Sequence, residues 1–453
     1  MKQNFLKQRL LSVALYAIAQ PVLSEEKSMT YHHFCVIDEG DTVRGIEPVE
    51  PAKIPLWAER VSPKKHTWPD PASIVDSIFT TPIPYVLQPR EDSGDPFYKH
   101  NHCPALTWCE NGDLLAIWFS TSTEKGTEMT ILASRLRAGS DKWEPASEFF
   151  KSDDRNMTGS ALFHDGKGKL FHFNGMGKKG VTGWSHLVLL LRTSTDNGVS
   201  WTAPRPISSG TKYQRRNQVT AGTSMMQDGT LLQICDALPG ERGASALHIS
   251  HDNGLSWKDA GGDIRGIHAG LVDLLDGHLM AFSRGQTING RMPISRSSDL
   301  GKTWSYEASP FPIIGSGQRL ILKRLMDGTI LLVSFTDIRK RNKQGVTLTK
   351  NGMTFTDKNG TSFTGYGMYT ALSFDDGKTW PVHKLLTPGE GEFNGGAWTG
   401  RFTATPTRAE HAGYLAATQT PDGVIHLISS RLYYRFNLAW LKEPNDSPKT
   451  DSQ

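Results

Sequence analysis

The chain has 453 residues, of which 37% are hydrophobic and 44 are glycine, with a formal charge of +4 at pH 7. Three of the excess positive charges (Lys2, Lys7, Arg9) fall near its start, so the remainder is close to neutral and offers no nucleic acid a basic partner. Four cysteines (Cys35, Cys103, Cys109, Cys235) are compatible with an oxidising compartment but too few for a disulfide framework, and no stretch is apolar for long enough to span a membrane.

In chain order, residues 1–24 read as a secretory signal: a basic start, a short apolar run from Leu10 to Ala19, and small-residue cleavage chemistry at Val22-Leu23-Ser24. No cysteine stands at that point to take a lipid, so a secreted or periplasmic product beginning near Glu25 is expected. Residues 25–95 are rich in proline and charge and are expected to form an N-terminal extension packed on the main domain, with strands around Tyr31–Asp38 and Ser77–Leu87. From His100 onward a Gly beside Asp or Asn recurs ahead of apolar runs, the mark of a tight hairpin. The six copies are Asn111-Gly112, Asp165-Gly166, Asp228-Gly229, Asp276-Gly277, Asp327-Gly328 and Asp422-Gly423.

A second phrase, Ser-x-Asp-x-Gly-x-x-Trp, occurs four times: Ser194–Trp201, Ser250–Trp257, Ser297–Trp304 and Ser373–Trp380. Its Asp can accept backbone N–H bonds around a turn, its Gly can take a positive φ, and its Trp folds apolar surface back over the hairpin. A degraded copy lies in Ser134–Trp143. Residues 338–366 and 385–410 interrupt the rhythm as long insertions, the kind of segment that builds ligand-site walls. Residues 442–453 read as a flexible tail.

The Ser-x-Asp-x-Gly-x-x-Trp phrase is the Asp box, and the chain resembles the sialidase (neuraminidase) superfamily of Asp-box, or bacterial neuraminidase repeat, β-propellers over residues 95–440. The resemblance implies an all-β fold, a six-bladed β-propeller over residues 96–441, with a seventh blade if the N-terminal strands complete another. It also implies that the boxes lie outside the blades, away from the active site. Innermost strands are expected to follow Ala105, Ser160, Thr220, Leu271, Leu320 and Ala416.

A propeller binds ligands at the mouth of its central channel, and the residues ahead of those strands are polar in every repeat: His102, Arg155 and Asn156, Arg216 and Asn217, His268, Arg319, and the Glu410-to-Tyr414 stretch, with Arg284 and Arg291 nearby in sequence. Sialidases carry Arg-Ile-Pro at the first of these positions, the Arg being one of three that clamp a carboxylate; here the stretch is His102-Cys103-Pro104. The loop in which a sialidase holds its acid Asp is Ser120–Gly126, with no Asp and with Glu124, or Glu128 beyond it, as substitutes. The sialidase Tyr–Glu pair has its counterpart only in Tyr414 and Glu410.

His102, His268 and Tyr414 are therefore the candidate proton-transfer residues, and Arg155, Asn156, Arg216, Asn217, Arg284, Arg319 and Glu410 the candidate substrate contacts. The combination fits cleavage of a terminal sugar linkage in an acidic, uronate-containing oligosaccharide or polysaccharide, by hydrolysis or by elimination. The chain is also similar to propeller enzymes that use His to cleave L-rhamnose–D-glucuronate linkages. An exo-α-sialidase and a non-catalytic glycan-binding propeller are the competing readings. No cofactor is called for: His100-x-His102-Cys103 lacks an identifiable third metal ligand, and Gly391–Gly400 lacks the Lys-Ser/Thr ending of a phosphate loop. Oligomeric state is left open.

Overall fold

Five of the six Asn/Asp-Gly dipeptides close a hairpin of one geometry, in which the residue two before the Asp or Asn donates its N–H across the turn, as in Cys109 N to Asp113 O (2.8 Å), Leu274 N to His278 O (2.8 Å) and Thr420 N to Val424 O (3.0 Å). At Asp165-Gly166 the turn is offset, and Asp165 N itself donates to Lys169 O (3.1 Å). The glycines take φ between 75° and 91°, where a side chain would be strained. These hairpins join the first and second strands of six antiparallel sheets in a computed structural model, which describes residues 31–49, 53–207, 212–237, 243–342 and 345–447. The proposed signal lies outside the described residues.

The six innermost strands are His100–Trp108, Ser160–His164, Gln218–Met225, Ile267–Asp273, Ile321–Arg324 and Ala416–Gln419, and each leads outward through its sheet. They follow or contain the anticipated positions, and the architecture is a sialidase-like propeller of six blades. Apolar clusters fill the spaces between neighbouring blades. One of them, with Tyr85, Trp118, Ala416, Ile428 and Tyr433, joins the sixth blade to the first.

Among the described residues, the N-terminal region does not add a seventh blade. Phe79–Pro84 pairs antiparallel with Leu432–Phe436 as the outer strand of the sixth blade, so the segment placed in the extension supplies part of the propeller itself. His33–Glu39 and Thr42–Val49 extend the first blade outward through parallel pairing with Ser147–Ser152. At the other end, Asn445 accepts from Leu385 N and donates to the carbonyls of Thr356 and His383, so the start of the anticipated tail is tied to the fifth blade. No helix among the described residues is long and apolar enough to cross a membrane.

The four Asp boxes connect third to fourth strands and repeat one bonding scheme around Ser, Asp and Gly, to which the first three add a bond from the Trp indole. In the first, Ser194 Oγ donates to Asp196 Oδ1 and accepts from Gly198 N, while Asp196 accepts from Ser200 N (3.0 Å) and Trp201 Nε1 reaches Gly198 O (3.2 Å). The boxes also join blades. Asn197 Oδ1 accepts from Asn111 N of the preceding blade's hairpin, and Asp376 Oδ2 accepts from Leu275 N. At Gly254 (φ 85°) a Cβ would stand 2.8 Å from the Phe171 ring of that preceding blade, which adds a close approach to the φ requirement. The repeated motif is thus a scaffold part, placed at the end of the strands opposite the one where the inner strands begin.

Candidate active site at the channel mouth

Two of the inner strands begin with a bulge that turns a histidine inward. Pairing register shifts between His102 and Ala105 in the first blade and between Ile267 and Gly270 in the fourth. Cys103 (φ 58°) and His268 (φ 53°) take the left-handed conformation at these bulges, a strain of about 1–3 kcal/mol each that surrounding bonds must offset. For His268 the offset is visible: its backbone N donates to Asp236 Oδ1 at 2.6 Å. Between the fifth and sixth blades, Gln318–Arg319 pairs in parallel with Gly413–Tyr414, which sets Arg319 beside Tyr414.

These elements bring Asp236, His268, Tyr414 and Arg284 into one line. His268 Nδ1 lies 2.6 Å from Asp236 Oδ2, close although off the ideal N–H axis, and His268 Nε2 lies 2.8 Å from the Tyr414 hydroxyl. Arg284 Nη1 donates to the same hydroxyl at 3.2 Å and to Gln318 O at 3.1 Å. The Arg319 guanidinium sits 5.0 Å from the centre of the Tyr414 ring and donates to the carbonyls of Leu415 and Pro104. Among the described residues neither Arg284 nor Arg319 has a carboxylate partner. Burial, reinforced by Arg284, lowers the His268 pKa to about 4, against the opposing pull of Asp236, so the imidazole is neutral at physiological pH. Burial raises the Tyr414 phenol to about 12, opposed by Arg284.

His102 belongs to the cluster but in a different capacity. Trp398 Nε1 donates to its Nε2 at 2.8 Å, and its Nδ1 is 3.0 Å from Ser430 Oγ. An indole only donates, so Nε2 is the acceptor and the ring proton sits on Nδ1. Burial, and then the charges of His100 and Arg319, push its pKa well below the ordinary histidine value. With both nitrogens engaged and 1% of its surface exposed, His102 is a neutral wedge against Tyr414, ring centres 4.0 Å apart. Of the two histidines anticipated for proton transfer, His102 has both ring nitrogens engaged by Trp398 and Ser430, and His268 is the one in contact with the Tyr414 hydroxyl.

The aperture is formed by half-buried groups. His100 Nε2 lies 3.5 Å from Glu124 Oε1 and stands edge-on to Trp398. Asn156 holds the Glu124 loop in place by donating to the carbonyls of Glu124 and Gly126, both at 2.9 Å. Glu128 accepts from Ser122 N and Thr121 Oγ1 inside that loop and is a staple within it. Trp398, from the second insertion, has φ 71° and is covered by Arg339, whose guanidinium is 4.7 Å from its ring centre. Behind it, Glu410 is fully buried, accepts from Tyr434 (2.8 Å), and is pushed up to about 7 by burial.

Several anticipated substrate contacts lie elsewhere, each for an identifiable reason. Arg155 is bound to Asp38 (2.6 Å) and the Tyr213 hydroxyl (2.7 Å), a buried bolt between the N-terminal strands and the second blade. Arg216 is bound to Asp259 (2.6 Å) and Asp263 along the outer part of the third blade. Arg291 is exposed at the start of the third strand of the fourth blade, out along the sheet from the channel, donating to Pro310 O. Asn217 donates to Leu187 O and is buried between blades. Asp236 and Trp398 were not singled out from sequence. The first is the charged end of an apolar strand (Leu231–Asp236) and the second sits in the glycine-rich Gly391–Gly400 stretch.

The comparisons agree with this architecture. A sialidase of Micromonospora viridifaciens is 24% identical over 419 residues, 82% of this chain and 57% of that protein. A sialidase of Bacteroides fragilis is 26% identical over 204 residues, 44% of this chain and 34% of that protein. The chain thus spans little more than half the length of these relatives, or less. Among solved structures, NanB sialidase from Streptococcus pneumoniae superposes with a TM-score of 0.52 at 13% identity, covering 79% of this chain and 71% of that one. Trypanosoma rangeli sialidase gives 0.52 at 14%, covering 80% and 60%, and a Dyadobacter fermentans protein of unknown function gives 0.50 at 16%, covering 80% and 99%. These structural likenesses establish the fold. The BNR repeat-like domain profile matches residues 112–427, and the chain belongs to that family.

Proposed function

We propose that the chain is a glycan-cleaving enzyme acting at this channel mouth on a terminal acidic sugar, with Tyr414 as the reacting group and His268 as its base. The observation that carries the reading is the line of contacts from Asp236 through His268 to the Tyr414 hydroxyl, at 2.6 and 2.8 Å. A nucleophile bonded to a base that a third group orients is the general arrangement for activating a weak nucleophile. A neutral His268 takes the phenol proton on Nε2, Asp236 steadies the resulting imidazolium, and Arg284 stabilises the developing phenolate.

In the hydrolytic course, the Tyr414 oxygen bonds to the anomeric carbon as the bond to the leaving oxygen breaks, and Glu124 delivers a proton to that oxygen. Water then attacks the anomeric carbon with Glu124 taking its proton, and the departing Tyr414 oxygen recovers its own proton from His268. The unpaired cations Arg284 and Arg319 favour a substrate with a carboxylate, and Arg284 is the half-buried one that faces the aperture. In an eliminative course the same phenolate removes the C5 proton beside the sugar carboxylate, the C4–C5 double bond forms as the C4–O bond breaks, and Glu124 protonates the leaving oxygen.

Incubation with a sialoside and with a uronate-terminated oligosaccharide separates the readings. A new reducing end without ultraviolet absorbance identifies hydrolysis, and absorbance from a new C4–C5 double bond identifies elimination. Cleavage of the sialoside alone identifies an exo-sialidase. Binding without cleavage of any acidic glycan refutes the enzymatic reading.

A further inference from the structure

Toward the hairpin end of the inner strands, opposite the relay, lies a cavity of about 600 Å³ lined by the inner strands of all six blades. Its wall is mostly apolar, with Leu162, Leu271 and Leu322 among the lining side chains, and Thr418 adds a hydroxyl. Lys323 lines it too. Among the described residues its ammonium has no hydrogen-bond acceptor and no carboxylate at ion-pair distance, and burial lowers its pKa.

Lys323 is half-buried, and it differs from the fully buried cations of the chain, each of which has acceptors. Arg135 donates to Asp113 and two carbonyls, Arg192 to the carbonyls of Phe149 and Tyr31, and Lys384 to those of Glu443 and Pro444. Withdrawing an ammonium from water without giving it an acceptor is costly, and a ligand that supplies the acceptor offsets that cost.

A second donor lacks a partner in the same wall, across the ring in the second blade. His164 Nδ1 accepts from Gly166 N at 2.9 Å, which places the ring proton on Nε2, and that atom is buried without an acceptor. The other charges of the wall are accounted for. Asp165 accepts from Lys167 N and Lys169 N, Arg324 is bound to Asp376 and to Asp273 O, and Arg319 donates to the Leu415 and Pro104 carbonyls. Asp273 lies beside Arg324, and burial raises its pKa.

We infer that this rear cavity is a binding site for a small organic carboxylate, anchored by Lys323 with its apolar body against the leucines. A halide ion would satisfy the ammonium but leave most of the apolar volume empty. The inference does not rest on the catalytic reading, since no residue of the relay except the flanking Arg319 lines this wall.

The test is calorimetric titration of the full chain with benzoate and hexanoate, and with benzyl alcohol and hexanol as uncharged controls. Trp108 lines the cavity, stacked on His164 with ring centres 3.8 Å apart, and its fluorescence reports occupancy independently. The expected result is saturable binding of the carboxylates alone. It should weaken by at least about tenfold in Lys323→Met, the scale of one lost charge-assisted hydrogen bond, and persist in Lys323→Arg. Thr418→Trp, which fills the same space, should abolish it. If neither blocking variant folds, carboxylate binding to the unaltered protein must fall as pH rises through a lysine pKa lower than the ordinary value. Equal binding of the alcohols, unchanged binding in Lys323→Met, an alkaline-insensitive affinity, or no binding of either carboxylate each overturns the inference.

Discussion

Glu410 offers the sharpest test of the physical argument, because its bonding and its burial make the same statement. Thr399 Oγ1 lies 2.7 Å from Ala412 O and 3.1 Å from Glu410 Oε1, and a hydroxyl has one proton to give. If that proton goes to the carbonyl at the shorter distance, Glu410 must be the donor toward Thr399, hence a neutral carboxylic acid. Burial independently raises its pKa from 4.5 to about 7. The folded state therefore binds more protons than the unfolded state across this window, and stability falls as pH rises through it. At roughly 1.4 kcal/mol per pH unit, the loss attributable to Glu410 is about 3 kcal/mol. Glu410→Gln keeps a donor toward Thr399 and an acceptor for Tyr434 without the titration. Urea midpoints of the two proteins, compared from pH 4.5 to 8, should show the variant gaining on the parent by about 3 kcal/mol, most of it below pH 7. Taking the difference cancels every titration the two share. A constant difference across the range would mean that Glu410 is ionised throughout and that the proton assignment at Thr399 is wrong.

Tyr414→Phe and Asp236→Asn should each lower turnover by about 10²-fold or more with unfolding unchanged, the first removing the reacting oxygen and the second the group that orients His268. On the proposed mechanism His268 is a neutral base with a pKa of about 4, so the acid limb of kcat should lie well below the ordinary histidine range, and activity should be lost as pH falls through that value. Arg284→Met should reduce kcat/KM far more for a uronate-terminated substrate than for its amide, measured in parallel. Trp398→Phe leaves His102 Nε2 a buried acceptor without a donor and should cost about 1–3 kcal/mol in chemical denaturation. Asp299, exposed in its Asp box, is held at about 2 by bonds from Thr303, so its contribution is present above the ordinary carboxylate pKa and lost between that value and about 2. Acid unfolding of Asp299→Asn should lack that component.

The fold was legible because its signals are local. A Gly at positive φ between an Asp and an apolar run declares a hairpin in any context, and six copies declare the blades. The closing strand Phe79–Pro84 was readable as a strand but not as the sixth blade's outer strand, since its pairing with Leu432–Phe436 joins opposite ends of the chain. The site was half legible. Sequence position located His102, His268, Arg319 and Tyr414 at the starts of inner strands, but direction depends on bulges and on partners remote in sequence. Arg155 and Arg216 stand at equivalent positions yet turn outward, because Asp38 and Asp259 are there to receive them. Asp236 escaped notice because it ends a second strand, and only folding brings it against His268, 32 residues on.

The replacement of a clamp arginine by His102 has consequences that run through the whole mouth. A permanently charged side chain at that position would face Arg319 and Arg284 with no carboxylate beside it, whereas a histidine can shed its charge, and burial ensures that it does. Once neutral, it can accept the Trp398 indole N–H, which an arginine cannot. That bond fixes the second insertion over the channel and adds an aromatic wall, with Arg339 stacked on its outer side. On the proposed function, the positive charge left for an anionic sugar is concentrated on Arg284 and Arg319, both against Tyr414, so the group that would recognise a carboxylate would also stabilise the phenolate. Recognition and chemistry would then be coupled through one oxygen atom, and a substrate lacking the carboxylate would leave Arg284 bound to that oxygen without helping to place the bond to be broken.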